Sequence, residues 1–473
     1  MSKRIYIPQA IPYVNAAPHI GHALEFVQAD TLARFYLQLE YEVFYSTGAD
    51  ENSLKNVQAA EVEGIPTKEL VDKNAKKFED LKSALNLSWD IFNRTSDEHH
   101  FAGAQKLWKL CKKEDIYKKN YKGLYCVGCE IFYTPEEIVG GKCPDGHTNI
   151  EEQEEENYFF KLSNYQKFLE DLIETDKLKI VPETRKNEVL SFIKQGLADF
   201  SISRTRERAR GWGVPVPGDN SQVMYVWFDA LTTYLTALGF GSSDQSLYKK
   251  FWEENENIVH VIGKGIIRFH AVYWIAMLAS SGIKLPQTEF VHGYITLEGE
   301  KISKSLGNVV DPFDVVNDFG ADVVRYYLLR EIPSYGDGDF SLRRLKEIYN
   351  GELANGLGNL VARVAKLAEK AKVSIPDNLG VISGGVRKNL EIFRFDLALD
   401  SIFNKISELD GQINKEKPWE KEGVELKGII EPIASDVTQI GYDLSPFMPE
   451  TSEKILKQFS GKITSGEALF PRI

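Results

Sequence analysis

A strand-like run, Arg4-Ile5-Tyr6-Ile7, is followed by His19-Ile20-Gly21-His22 and then by a helical pattern from Ala23 to Asp30. This constrains the N-terminal region to a strand-to-helix turn. Gly21 removes a side chain so that a nucleotide can touch the backbone, and a helix N-terminus favours phosphate. Two neutral imidazoles one turn apart can donate hydrogen bonds to phosphate oxygens as charge builds, without acting as bases. Much further on, Lys301-Ile302-Ser303-Lys304-Ser305 lies between Gly299 and Gly307. Its lysines ride a loop with a hinge on each side, which can close on a triphosphate and release it. Alone, each motif reads equally well as a helix start or a basic surface loop. Together they point to ATP chemistry.

The rest of the pattern organises around these two motifs. Residues 1–115 alternate strands and helices, which predicts a parallel sheet, and Tyr41–Gly48 is a second strand with Asp50 and Glu51 at its C-terminal end. Ligands of open α/β sheets sit at such strand ends. Residues 116–215 break into turns, an acidic run from Glu151 to Glu156 and a helix near Tyr165–Thr175, as expected for an insertion. Strands resume at Val223–Asp229, Asn257–Gly263 and Glu289–Tyr294 within 216–295, leading into a lysine-loop region over 296–342. From 343 to 473 apolar residues recur at spacings of three and four, with further helices at about 387–415 and 425–458, which predicts an all-helical bundle. The fold class is therefore α/β: a Rossmann-type nucleotide-binding domain, a metal-knuckle insertion and a C-terminal helical bundle.

Cys126-Val127-Gly128-Cys129 is followed after thirteen residues by Cys143 and then His147. Two thiolates from one turn and a thiolate plus imidazole from another suit tetrahedral Zn²⁺, and four full ligands make such a site structural. The alternative is three cysteines packed as small hydrophobes. Cys111, in a helical stretch, reads as core. With four cysteines and no signal-peptide core, a disulfide framework is not expected, and no apolar stretch approaches a membrane span. A cytoplasmic protein is expected. A net charge of -12 argues against indiscriminate nucleic-acid binding. Thr184–Arg210 nevertheless carries seven Lys/Arg against three Asp/Glu, which is either a solvated face or a local RNA surface.

Further stretches extend the pattern: Ile11-Pro12-Tyr13-Val14-Asn15, Thr47-Gly48-Ala49-Asp50-Glu51, Asn157-Tyr158-Phe159-Phe160, Ser201-Ile202-Ser203-Arg204, Trp212–Pro217, Trp227-Phe228-Asp229-Ala230 and Arg268-Phe269-His270. With them the chain resembles the methionyl-tRNA synthetases, class I aminoacyl-tRNA synthetases, over essentially its whole length. The resemblance implies a methionine pocket of Ile11, Tyr13, Trp227, Ala230, Leu231, Tyr234, Ile266 and His270, with Asp50 accepting the substrate ammonium. Aromatic walls with one weak donor, the Tyr13 hydroxyl or His270, suit a polarizable thioether. Without the resemblance these aromatics read as core. His19, Gly21, His22, Lys301, Ser303 and Lys304 would bind ATP, with Mg²⁺ on its phosphates, and His19, His22, Lys301 and Lys304 would stabilise transition-state charge. The substrates implied are ATP, L-methionine and tRNA(Met), including the initiator. Asn359 and Arg363, one helical turn apart, and Trp419 would meet the anticodon by hydrogen bonds and stacking. Some members continue into an additional dimer-forming, tRNA-binding domain. This chain ends at Ile473, so a monomer is expected.

Four positions depart from the usual family pattern. Asn52 and Ser53 stand where His-Gly commonly follows Asp-Glu, Gly265 replaces an Asp after Gly-Lys, and His147 falls one residue later than the common spacing. Two other readings remain: a class I synthetase for another amino acid, and a catalytically silent tRNA-binding paralogue.

Overall fold

Short runs rich in Ile, Val, Tyr and Phe build the centre of the molecule, because buried parallel strands need apolar side chains on both faces. In the computed structural model, which describes residues 3–126, 128, 131–133, 135–144, 146–301, 309–376 and 380–473 (of 131, 132 and 301 the backbone alone), β1 (Arg4–Pro8), β2 (Glu42–Ala49) and β3 (Ile91–Arg94) run parallel. Helices α1 (Ile20–Gln38), α2 (Leu54–Glu63) and α3 (Thr67–Ala84) connect them, and α4 (Glu98–Leu110) follows.

An antiparallel ribbon of β4 (Ile116–Cys126) and β6 (Ile150–Phe160) then leaves the sheet, flanked by β5 (Ile131–Tyr133) and β8 (Phe200–Ser201). The acidic run is part of this ribbon. Lys122 Nζ lies 2.8 Å from Glu152 across the pair, and Lys118 Nζ 3.6 Å from Glu156. Between β6 and β8 the chain returns to the main sheet. After α5 (Gln166–Glu174), β7 (Lys179–Val181) pairs parallel with a later strand, and α6 (Glu183–Lys194) packs on it. The stretch 116–215 is therefore not one separate body, because a three-residue strand inside it completes the sheet edge.

Three short strands follow, β9 (Ser203–Thr205), β10 (Pro215–Val216) and β11 (Asp219–Met224). The strand expected over Val223–Asp229 ends at Met224. Val226–Leu231 forms a helix, α7, whose residues are all buried, and a short apolar run of this kind fits a buried helix as well as a strand. After α8 (Thr233–Thr236) and α9 (Ser246–Tyr248), β12 (Val259–Gly263), α10 (Ile275–Ser281) and β13 (Thr288–His292) resume the sheet. Parallel bridges Tyr6↔Ile258 and Gln9↔Val261 join its two halves in the order β3-β2-β1-β12-β13-β7. The order reverses between β1 and β12, so the loops leaving those strands frame a crevice at their C-terminal ends. Alternation divides the side chains: Ile5, Ile7, Val259, Val261 and Phe290 join one core, and Tyr6, Ile258, Ile262 and Val291 the other.

Beyond the sheet, β14 (Ile295–Leu297), β15 (Glu300–Lys301) and β16 (Gly338–Phe340) form a small sheet around α11 (Pro312–Phe319) and α12 (Ala321–Arg330). The bundle begins with α13 (Leu342–Ile348), continues through wider turns over Tyr349–Gly358 into α14 (Asn359–Lys370), and adds α15 (Gly384–Leu390), α16 (Phe395–Glu416), α17 (Gly423–Leu444) and α18 (Pro449–Gln458). Two helices expected to be continuous are each broken. One is interrupted at Phe393, with φ of 58°, and the other around Pro446 and Pro449. The region is also not wholly helical, since β17 (Ser374–Ile375) pairs with β18 (Gly461–Lys462).

Candidate active site, metal cluster and nucleic-acid interface

His19 is the N-cap of α1, and its Nδ1 accepts the Gly21 amide at 3.1 Å. The Nδ1 of His22 accepts the His19 amide, also at 3.1 Å, closing a reciprocal capping box. With both Nδ1 lone pairs so used, the neutral rings carry their protons on Nε2, the tautomer that can donate to a phosphate. The rings stack at 3.8 Å. Burial, and then the neighbouring His19, holds His22 well below the usual imidazole range, so it stays neutral.

Lys301 ends β15; Ser303 and Lys304 lie outside the described residues, as does Gly307. The chain on either side of them is tied to α1. Before them, His292 at the end of β13 bonds Glu25 of α1 at 2.8 Å, and Gln9 donates to the same carboxylate at 3.2 Å. After them, Val310 accepts the Ile20 amide at 3.1 Å. Described chain on both sides of the second motif is thus bonded to the helix that the first motif begins. Sequence reasoning missed Glu25 and His292, although Glu25 stands one turn after His22 on the same helix.

Contacts link several of the residues expected to line the pocket. Tyr13 pairs with Asp50 through a parallel bridge, and its ring lies edge-on to Trp227 at 6.3 Å, with the Lys55 ammonium 4.4 Å over it. Trp227, Ala230, Leu231 and Tyr234 come from α7 and α8, and Ile266 and His270 from the helical segment after β12. All are buried except Ile11, Tyr13 and Ile266, which are partly exposed. Phe269, not anticipated as a site residue, stacks flat on Trp227 at 3.7 Å. His270 is not positioned as a thioether donor. Its Nδ1–H donates to the Ile266 carbonyl at 2.9 Å, and its Nε2 accepts the Tyr234 hydroxyl at 2.6 Å. Burial pushes His270 down to about 4, which keeps it neutral and holds this arrangement.

In the ribbon, Cys126 Sγ, Cys143 Sγ and a His147 ring nitrogen all lie within 4.8 Å of one another. Cys129 lies outside the described residues. Thiolate and imidazole donors suit a borderline-soft ion. Gly146, at φ of 84°, makes the turn that takes up the extra residue before His147. A Cβ on Gly128 would lie 2.4 Å from the His147 ring, so glycine there leaves room for the imidazole. Cys111 stands apart, buried in the core, with its thiol pushed up to about 12 by burial.

At the far end, Asn359 and Arg363 share α14. Arg363 pairs with Asp410 and donates to Asn414 Oδ1 at 2.8 Å, both on α16, and its guanidinium lies 5.9 Å from the ring of Trp419, which is 47% exposed. A half-exposed indole beside a fixed guanidinium offers a stacking surface for an unpaired base.

Comparison with known proteins decides the family. The family model described as "tRNA synthetases class I (M)" matches residues 5–153 and 146–365. The chain belongs to this family. The methionine–tRNA ligase of Clostridium perfringens is 40% identical over the whole of this chain and 78% of its own length; that of Brucella suis is 40% identical over 96% and 91%. The methionyl-tRNA synthetase of Mycobacterium tuberculosis in complex with methionyl-adenylate superposes with a TM-score of 0.92 at 36% identity, covering 99% of this chain and 100% of that one. Its free form superposes at 0.84 with 34% identity.

The positions where this class I synthetase departs from the pattern have local explanations. Asn52 donates to Asp229 Oδ2 at 2.7 Å and to the Thr95 carbonyl at 2.8 Å, while His100 Nε2 bonds the other Asp229 oxygen at 2.7 Å. Asn52 thus satisfies a buried carboxylate on α7. Ser53 caps α2, its hydroxyl accepting the Lys55 amide at 3.0 Å. Glu51 is committed to Arg94 and the Ser96 amide. At Gly265 a Cβ would lie 1.9 Å from the Tyr294 hydroxyl, so that ring fills the room a side chain would need. The neighbouring Lys264 pairs with Asp337 at 2.6 Å.

Proposed function

We propose that the chain ligates methionine to tRNA(Met) in two steps. In the first, a methionine carboxylate oxygen attacks the α-phosphorus of ATP, the bond from that phosphorus to the bridging oxygen breaks, and methionyl-adenylate and pyrophosphate result. Methionine lies in the pocket of Ile11, Tyr13, Trp227, Ala230, Leu231, Tyr234, Ile266 and His270, with its ammonium on Asp50. His19 and His22 donate from Nε2 to the phosphates, joined by Lys301, Ser303 and Lys304, and they act by position and charge, with no protein nucleophile. Mg²⁺ carried with ATP supplies charge neutralisation on the phosphates. In the second step the terminal ribose hydroxyl of the tRNA attacks the activated carbonyl and AMP leaves.

Asn359, Arg363 and Trp419 read the anticodon within residues 343–473. Cys126, Cys129, Cys143 and His147 hold a structural Zn²⁺ in the insertion. The catalytic sheet is built from 1–115 and 216–295 with β7 at its edge, and a cytoplasmic location belongs to the same reading. No helix among the described residues is long and apolar enough to cross a membrane.

The observation that carries this reading is the bond between the histidine turn and the chain that follows the lysine motif. The histidine turn is bonded through Ile20 to Val310 beside the crevice where the apolar pocket opens. A His22→Ala variant tests it. Pyrophosphate exchange is expected to slow by about a hundredfold, the size of one lost transition-state donor, with the methionine KM little changed. Full activity in that variant contradicts the assigned role.

A further inference from the structure

His260 of β12 and Glu289 of β13 stand directly across from each other in the register of the parallel sheet. Both are 0% exposed. The Nδ1 of His260 is 3.1 Å from a Glu289 carboxylate oxygen, but the contact is out of line. Among the described residues neither side chain has a well-aligned hydrogen bond. Taking a carboxylate out of water is costly, and two apolar residues would serve a buried sheet better. The fold alone gives no reason for the pair.

Its place gives one. Alternation puts both residues on the face shared with Ile258, Ile262 and Val291, against the cluster that contains Tyr234, Trp252 and Trp274. The His260 ring lies 4.7 Å from the Tyr234 ring and 6.0 Å, edge-on, from that of His270. Those two residues hold each other through the 2.6 Å bond from the Tyr234 hydroxyl to His270 Nε2.

We propose that Glu289 and His260 are positioning residues for amino-acid recognition: the His260 ring, packed against the rings of Tyr234 and His270, buttresses that pair, and the Glu289 carboxylate beside it sets the electrostatic surroundings in which the pair is held. The charge is felt in the pocket. After burial itself, Glu289 is the largest influence on both Tyr234, whose phenol it helps hold above its usual range, and His270, where it opposes the effect of burial. The inference rests on the methionine-pocket reading above.

The test is Glu289→Gln, which keeps the shape and removes the charge, assayed in the full chain by ATP–pyrophosphate exchange with methionine and with norleucine, which lacks the sulfur. The methionine KM is expected to rise about fivefold or more, and the preference for methionine over norleucine to fall, while kcat and the ATP KM stay within about twofold. An unchanged methionine KM and preference overturn the proposal, and so does a uniform loss across all parameters, which marks a merely structural role. Should that variant not fold, His260→Phe is read in the same way. His270→Gln separates the two layers. If it too leaves the methionine KM unchanged, the pocket reading itself fails; if it raises the KM and Glu289→Gln does not, only this proposal fails.

Discussion

Arg325 and Asp30 are both completely buried, with Arg325 Nη1 2.7 Å from Asp30 Oδ2. Asp30 lies on α1, the helix whose N-terminus is the histidine turn, and Arg325 on α12. The guanidinium also donates to the carbonyls of Leu85, Pro446 and Phe447, while Asp30 accepts from Arg34 and Ser88. Burial alone would raise the Asp30 carboxyl, but Arg325, Arg34 and Ser88 together hold it below its usual range. This one side chain joins α1, the loop after α3 and the turn between α17 and α18. Arg325→Leu leaves a buried carboxylate short of charge and several carbonyls unpaired, and is expected to cost roughly 3–5 kcal/mol. A urea unfolding midpoint unchanged by the substitution contradicts the role assigned to it.

The site's two neutral histidines predict an acid-sensitive fold. Burial depresses His270 to about 4 and puts His22 well below its usual range. In the unfolded chain imidazoles titrate near about 6.5, so below that pH the unfolded state binds more protons. Stability from these groups is fully present above about pH 6.5 and is lost as pH falls toward the folded values, with His270 contributing roughly 3 kcal/mol. The urea midpoint should decline between about pH 6.5 and 4, and less steeply in His270→Gln. Equal slopes in the two proteins would remove His270 from the explanation.

Elemental analysis of the purified chain should find about one zinc per molecule, and Cys143→Ser should bring this close to zero. His147→Ala should retain metal only weakly and lose it to a chelator. Metal content that survives Cys143→Ser places the site elsewhere.

Trp419→Ala separates the two ends of the molecule. Loss of a stacking surface is expected to slow charging of tRNA by about tenfold or more while leaving pyrophosphate exchange untouched. Equal losses in both assays point to a folding defect instead of anticodon contact.

Much of this was legible in the sequence because it is local. The strand-to-helix turn at His19–His22, the strands over Tyr41–Gly48 and Asn257–Gly263, and the Cys/His spacing each follow from a few neighbouring residues. What was illegible depends on register and distance. The run from Val226 to Leu231 has no period that separates strand from buried helix, and β7 is too short to show one. The Phe269 stack on Trp227, the bond from His292 to Glu25 and the pairing of His260 with Glu289 exist only once the sheet order is known. Asn52 was a departure without a rationale until Asp229 and Thr95 were seen beside it. Asn52→Ala should cost about 1–3 kcal/mol by leaving that carboxylate short of a donor.

The most direct test is ATP–pyrophosphate exchange run separately with each of the twenty amino acids. The pocket of Tyr13, Trp227, Tyr234 and His270 predicts that methionine drives exchange and that leucine, isoleucine and valine do so far more weakly. Exchange with leucine and none with methionine would contradict the central claim.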